Sequence, residues 1–265
     1  MSAAALYAWV ELLILGILLS ILTRTYYSHW LLGGFLAKAG RFTYHALQVL
    51  RTPGNITHEG GHAIGFLVAG YRVTGISFWF TDPQGRGYCQ AGAPWAPWAS
   101  GFLARLVAAP APLFAGVLVL RLGAEALDVP TRFMASLTRE RLLQPARYPW
   151  RSVLDALAEW VTTPVGALQA LGFVALILSL SLDLAPSWED VRSLSLSVVL
   201  VTAMLLLGTF LTPYVPVLQE PWHWLDQKLL SLILWVQAPL WWGLALLVVV
   251  ALLLTPVRLV LSGWR

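Results

Sequence analysis

Long stretches without charge alternate with short polar segments along the chain. Residues 160–182, 193–219 and 229–257 contain no Asp, Glu, Lys or Arg. A helix needs about 20 apolar residues to cross a bilayer, and a segment in lipid must be helical because no water satisfies its backbone groups. The pattern therefore predicts a set of membrane helices. They are expected at 5–23, 101–120, 163–182, 191–212 and 239–261.

The polar segments between these runs predict other elements. In 71–91, β-branched and aromatic residues are followed by the turn sequence TDPQGRG, which predicts a short β-hairpin at the membrane surface. Pro53 and Gly54 are adjacent and are expected to end the preceding helix. A new helix is then predicted at 55–69, with Asn55 or Thr57 as its cap. The Trp-rich segment 220–238 is expected to lie along the interface.

Composition supports the same fold class. Charged residues are 11% of the chain, against about 25% in soluble domains, and mean hydropathy is +0.71. These values exclude a soluble globular, disordered or coiled-coil protein. We therefore predict an all-α polytopic membrane protein with about five to six transmembrane helices and one small surface hairpin. Its expected regions are an N-terminal membrane helix with an interfacial segment (1–54), a membrane core (55–212) and a C-terminal interfacial segment and helix (213–265).

Basic residues indicate an orientation. Lys and Arg follow the first apolar run in 24–54, and Arg is frequent in 121–159, so the positive-inside rule places both segments in the cytoplasm. This predicts a multi-pass protein of the plasma membrane. The net charge of +4 is too small and too dispersed for nucleic-acid binding. Cys89 is the single cysteine, which excludes an intramolecular disulfide and a Cys-based zinc site.

The sequence His58-Glu59-Gly60-Gly61-His62 matches the pattern H-E-x-x-H. Residues four apart share a helix face, so His58 and His62 can bind one zinc ion together. Glu59 is rotated so that it reaches a metal-bound water and can act as the general base. The two glycines are expected to let another backbone or a substrate approach closely. The alternative is that the histidines only hydrogen-bond to neighbouring helices, but ionisable groups within apolar segments are costly and usually functional.

A hydrolytic zinc site needs a third protein ligand, and a carboxylate can supply it. The candidates are Asp183, Glu189 and Asp190, which lie where a polar segment separates two apolar runs. That segment could equally be a loop in which Ser187 caps the next helix.

These motifs together resemble the site-2 protease family of intramembrane zinc metallopeptidases. THEGGHA at 57–63 matches the H-E-x-G-H-A of that family. The segment from Asp183 to Asp190 resembles the family's Asn-x-x-Pro motif followed by Leu-Asp-Gly, and it is one residue shorter than the family's segment. The resemblance implies that Asp190 is the third ligand and that Asp183 replaces the Asn. Since Glu-Asp-Val stands in place of Leu-Asp-Gly, Asp183 and Glu189 remain alternative ligands or outer-shell residues. Ala109 to Leu113 resembles the Gly-Pro-x-x-Asn of the middle helix but lacks its Asn.

The predicted function is therefore hydrolysis of peptide bonds in membrane-embedded or membrane-proximal substrates. One zinc ion per chain would be held by His58, His62 and Asp190, and Glu59 would activate the zinc-bound water. The expected partners are a membrane protein or peptide substrate and the lipid bilayer. Two alternatives remain, a non-proteolytic zinc-binding scaffold and a transporter that uses the intramembrane carboxylates.

Overall fold

A computed structural model describes residues 3–23, 33–78, 87–130, 151–183 and 188–263. The described residues are mostly helical, with one two-stranded antiparallel sheet, which confirms the helical class and the hairpin. In chain order the elements are α1 (Ala3–Ile21), α2 (Gly33–Val68), β1 (Tyr71–Ser77), β2 (Tyr88–Pro94), α3 (Gly101–Ala108), α4 (Ala111–Ala126), α5 (Arg151–Trp160), α6 (Pro164–Asp183), α7 (Trp188–Leu211), a short 3-10 turn (Pro216–Leu218) and α8 (Gln219–Gly263).

Three predicted helices match closely. α1, α6 and α7 each begin and end within three residues of the predicted 5–23, 163–182 and 191–212. Among the described residues, two helical stretches are long and apolar enough to cross a membrane, Gly101–Ala126 and Pro164–Asp183, which is fewer than the five or six predicted. Shorter apolar stretches occupy Tyr7–Ile21, Val198–Leu211 and Gly243–Leu252.

The predicted helix boundary at Pro53 and Gly54 is wrong, because α2 runs through both residues. A proline inside a helix removes one intrahelical hydrogen bond. Here a neighbouring helix supplies a contact at that point, since the backbone N–H of Gly54 donates to Oγ of Ser179 at 2.8 Å. Asn55 and Thr57 therefore cap no helix end. Thr57 Oγ1 instead donates to the carbonyl of Pro53 within the same helix.

Two further boundaries differ from prediction. The expected helix 101–120 is divided into α3 and α4 at Ala109 and Pro110. Pro110 and Pro112 have no backbone N–H, so neither can donate the helical hydrogen bond to the carbonyl four residues before it. The segment 220–238 is not separate from the predicted helix 239–261, since α8 continues from Gln219 to Gly263.

The helix that carries the HEGGH sequence lies at the centre of the packing. α2 packs against α3, α4, α6 and both strands, while α1 packs against α8. One apolar cluster joins α4, α5 and α6, and it contains Leu120, Ala124, Trp160, Ala170, Phe173, Ile177 and Leu180. A second cluster joins α1, α4 and α8, and it contains Leu15, Leu19, Val117, Val236, Leu240 and Leu247. These clusters fix α4 and α6, which flank the HEGGH turn.

Candidate metal site

His58 and His62 point their Nε2 atoms at the same place. The two atoms lie 3.2 Å apart, and the rings meet nearly edge to face, with an interplanar angle of 83°. Tetrahedral zinc with Zn–N distances of about 2.0–2.1 Å separates two nitrogen ligands by about 3.4 Å. The histidine pair therefore fits two corners of a zinc site. The spacing of four residues places both side chains on one face of α2, which permits this convergence.

The other nitrogen of His62 is held by the backbone of α3. Nδ1 of His62 lies 2.9 Å from the carbonyl oxygen of Ala108. A carbonyl can only accept, so Nδ1 must carry the proton and donate it. Nε2 of His62 is then left with its lone pair, which is the form that binds a metal. This contact between α2 and α3 thus selects the tautomer that a zinc ligand needs.

Glu59 is buried next to the histidines and lies on the side of α2 that faces β2. The residue is 8% exposed. Burial, and then the negative charge of Glu59, raise the pKa of Cys89 on β2 to about 11. Cys89 therefore holds its proton at neutral pH. The same interaction shows that the hairpin lies within electrostatic reach of the carboxylate expected to act as base.

One of the two glycines in the motif is in close contact with another backbone. A Cβ atom on Gly61 would lie 2.6 Å from Cα of Pro112, so no larger residue fits there without a shift. Around the Cβ position of Gly60, by contrast, no atom of the described residues outside its own turns of α2 lies within 4 Å. The expectation of backbone contact is thus confirmed for Gly61, and Gly60 faces open space.

The hairpin is attached to α2 by Asn55, one turn before His58. Nδ2 of Asn55 donates to the carbonyl of Phe78 at 2.6 Å, and Oδ1 accepts from the N–H of Gly87 at 3.2 Å. One buried amide therefore binds the last described residue after β1 and the residue just before β2. The sequence offered Asn55 only as a helix cap, and its actual partners lie too far along the chain to be inferred from a local pattern.

Asp183 is placed at the end of α6 beside the same part of α2. Its Oδ1 accepts from Nε of Arg51 at 3.0 Å and also from Nη2 of that guanidinium. The carboxyl group is buried, and it lies close enough to His58 for their charges to interact. Its second oxygen, Oδ2, has no hydrogen-bond partner among the described residues. The sequence analysis counted Arg51 only among the basic residues of 24–54 and gave it no partner.

The predicted third ligand is not tested by the structure. Asp190 and Glu189 lie in the first turn of α7, but their side chains are outside the described part of the chain, as are residues 184–187. In the described part, no three His, Cys, Asp or Glu side chains are close enough together to hold a metal ion. Asp183 is thus near His58 but does not complete a three-ligand group.

Comparisons of this chain with protein-family models, curated proteins and solved structures found no significant match.

Proposed function

We propose that this chain is an integral-membrane zinc metalloprotease. The observation that carries the proposal is the 3.2 Å separation of the two Nε2 atoms, with Nδ1 of His62 held by a backbone carbonyl. His58, His62 and Asp190 would hold one zinc ion per chain. A buried acid beside two such histidines is the arrangement expected of a hydrolytic H-E-x-x-H site. A histidine pair that served only to join helices would not need to converge at this spacing.

In the proposed hydrolysis, the metal and Glu59 have separate roles. Bound zinc supplies a Lewis acid and lowers the pKa of a water molecule to about 7. Glu59 takes a proton from the attacking water, whose oxygen bonds to the scissile carbonyl carbon. The C–N bond then breaks, and Glu59 passes its proton to the leaving amine, so that a carboxylate and an amine are formed. Asp183 and Arg51 hold α2 against α6 two turns before His58.

The outer faces of the helices support a membrane location. On α6, Val165, Leu168 and Leu171 are 65%, 69% and 66% exposed, and they lie at helical spacing on one side. Soluble monomers rarely expose large continuous apolar surfaces, whereas hydrocarbon accommodates them. We therefore propose a multi-pass protein of the plasma membrane with five or six spans and with 24–54 and 121–159 in the cytoplasm. The substrate would be a membrane-embedded or membrane-proximal peptide segment.

Zinc stoichiometry in the purified full-length protein tests the proposal. Wild type in detergent micelles should hold about one zinc per chain, and His58→Ala and His62→Ala should each lose it. His223→Ala is the matched control, because His223 is exposed on α8 and contacts Gln227 there. Zinc that persists in the His58→Ala/His62→Ala double variant would contradict the proposed site. Zinc without any peptide cleavage would favour a binding scaffold, and coupled ion transport without zinc would favour a transporter.

A further inference from the structure

The break between α3 and α4 leaves the backbone carbonyl of Ala108 without its usual partner. Ala109 and Pro110 keep helical backbone angles (φ −67°, ψ −44° and φ −81°, ψ −13°), so the chain continues in a nearly helical course through the break. In such a course the carbonyl of Ala108 would accept from the N–H four residues later. That residue is Pro112, which has no N–H. The carbonyl is therefore available to His62.

We propose that Pro112 is a positioning residue for the metal site. By withholding a backbone N–H, it leaves the Ala108 carbonyl to accept from Nδ1 of His62, and this hydrogen bond keeps the Nε2 lone pair directed toward the metal. The role of the metal rests on the proposed function. The hydrogen bond does not, because the contact between His62 and Ala108 is present in the protein without zinc, and the tautomer follows from that contact.

The packing around Pro112 brings His62 to the carbonyl of Ala108. Gly61 and Gly65 bring the backbone of α2 against the break, since a Cβ on Gly65 would lie 2.5 Å from Cα of Ala108. Gly61 makes the corresponding approach to Pro112, which is buried. Two glycines one turn apart thus hold His62 within hydrogen-bonding distance of the one carbonyl that Pro112 releases. A substitution at 112 that restores the N–H would compete for this carbonyl.

Pro110 provides a matched control. It is also a proline in the break, but the carbonyl four residues before it is that of Leu106. Replacing Pro110 by Ala therefore removes a proline of the same break without supplying a donor to Ala108. A general loosening of the break would affect both variants, whereas the proposed role affects only position 112.

The test uses full-length protein labelled with ¹⁵N-histidine, metal-free in detergent micelles. Long-range ¹H–¹⁵N spectra report which ring nitrogen of His62 carries the proton, and the His62→Ala spectrum assigns the signal. Wild type and Pro110→Ala should show the Nδ1–H form. Pro112→Ala should shift His62 toward the Nε2–H form and weaken zinc binding by about 10–100-fold, the usual effect of losing an outer-shell partner. Pro112→Gly restores the same N–H and should act alike if the Ala variant fails to fold.

Two results would overturn the inference. One is an Nε2–H form of His62 in the metal-free wild type. The other is a folded Pro112 variant that keeps the wild-type tautomer and zinc affinity. If wild type binds no zinc at all, the proposed function fails, but the tautomer comparison still decides the role of Pro112.

Discussion

Arg51 and Asp183 join the helix of the HEGGH sequence to the end of α6, with Nε of Arg51 3.0 Å from Oδ1 of Asp183. Arg51 lies two turns before His58 on α2, and Asp183 is almost fully buried. A planar guanidinium that donates two N–H groups to one carboxylate gives a directional contact that a lysine cannot reproduce. Together with the Gly54–Ser179 hydrogen bond, this pair fixes α2 against α6 next to the proposed metal ligands His58 and His62.

Arg51→Ala should destabilise the fold strongly, because it leaves the buried Asp183 carboxylate without its cation. Removing one partner of a buried ion pair costs about 3–5 kcal/mol. Unfolding in mixed micelles, followed by circular dichroism, measures the loss. Arg51→Lys keeps the charge but not the two-pronged geometry and should recover part of the stability. If the Arg51→Ala/Asp183→Leu double variant is no more stable than Arg51→Ala, an unpaired carboxylate is not the cause.

Zinc content should separate Asp190 from Asp183. Asp190→Ala should lose zinc, because Asp190 is the proposed third ligand, whereas Asp183→Ala should keep most of it and alter activity through the outer shell. Metal analysis of both purified variants measures this directly. Loss of zinc in Glu189→Ala would instead assign the ligand role to Glu189, and Glu125→Ala, at an exposed acid of α4, is the control. The reverse pattern would transfer the ligand role to Asp183, which already lies near His58.

Sequence analysis found the helices and contacts that depend on residues close together in the chain. The apolar runs predicted α6 and α7, and the four-residue spacing of His58 and His62 predicted their convergence. The continuation of α2 through Pro53 could not be inferred, because it accompanies a hydrogen bond to Ser179, 125 residues away. The Arg51–Asp183 pair spans 132 residues and was missed for the same reason. The loss of an N–H at position 112, however, was visible in the sequence.

Cys89 should react slowly with alkylating reagents, because its pKa of about 11 exceeds the ordinary value of 9.0. The thiolate is the reactive form, so at pH 8 only about one thiol in a thousand is reactive, compared with about one in ten in the unfolded chain. The rate should therefore rise with pH up to about 11 rather than level off near 9. Iodoacetamide labelling across pH 7–11, with denatured protein as the reference, measures this.

Glu59→Gln should lower the pKa of Cys89, since the substitution removes the negative charge that disfavours the thiolate. Labelling of Cys89 at pH 8 should then become faster, although burial, the larger cause, still holds the pKa above 9.0. Asp128→Asn, at an acid beyond the end of α4, is the control and should leave the rate unchanged. An unaltered rate in Glu59→Gln would mean that no ionised carboxylate lies near the hairpin thiol.

Glu59→Gln should also separate metal binding from catalysis. The amide has nearly the same size as the carboxylate and keeps hydrogen-bonding capacity, but it cannot accept a proton from water. His58 and His62 are unchanged, so zinc content should stay near that of wild type. A positioned proton-transfer group contributes about 10²–10⁴-fold to rate, so cleavage of a membrane substrate should fall by at least the lower of these factors.

The comparison requires zinc content and cleavage to be measured on the same preparations of wild type, Glu59→Gln and Glu59→Asp. The Asp variant restores a carboxylate on a side chain one carbon shorter and should regain part of the activity, which a purely structural role of Glu59 would not predict. Cleavage by Glu59→Gln at the wild-type rate would exclude Glu59 as the base. If wild type binds zinc but cleaves no membrane substrate, and Glu59→Gln has no effect in cells, the zinc-binding scaffold is the better account, because a scaffold needs the metal ligands and not the base.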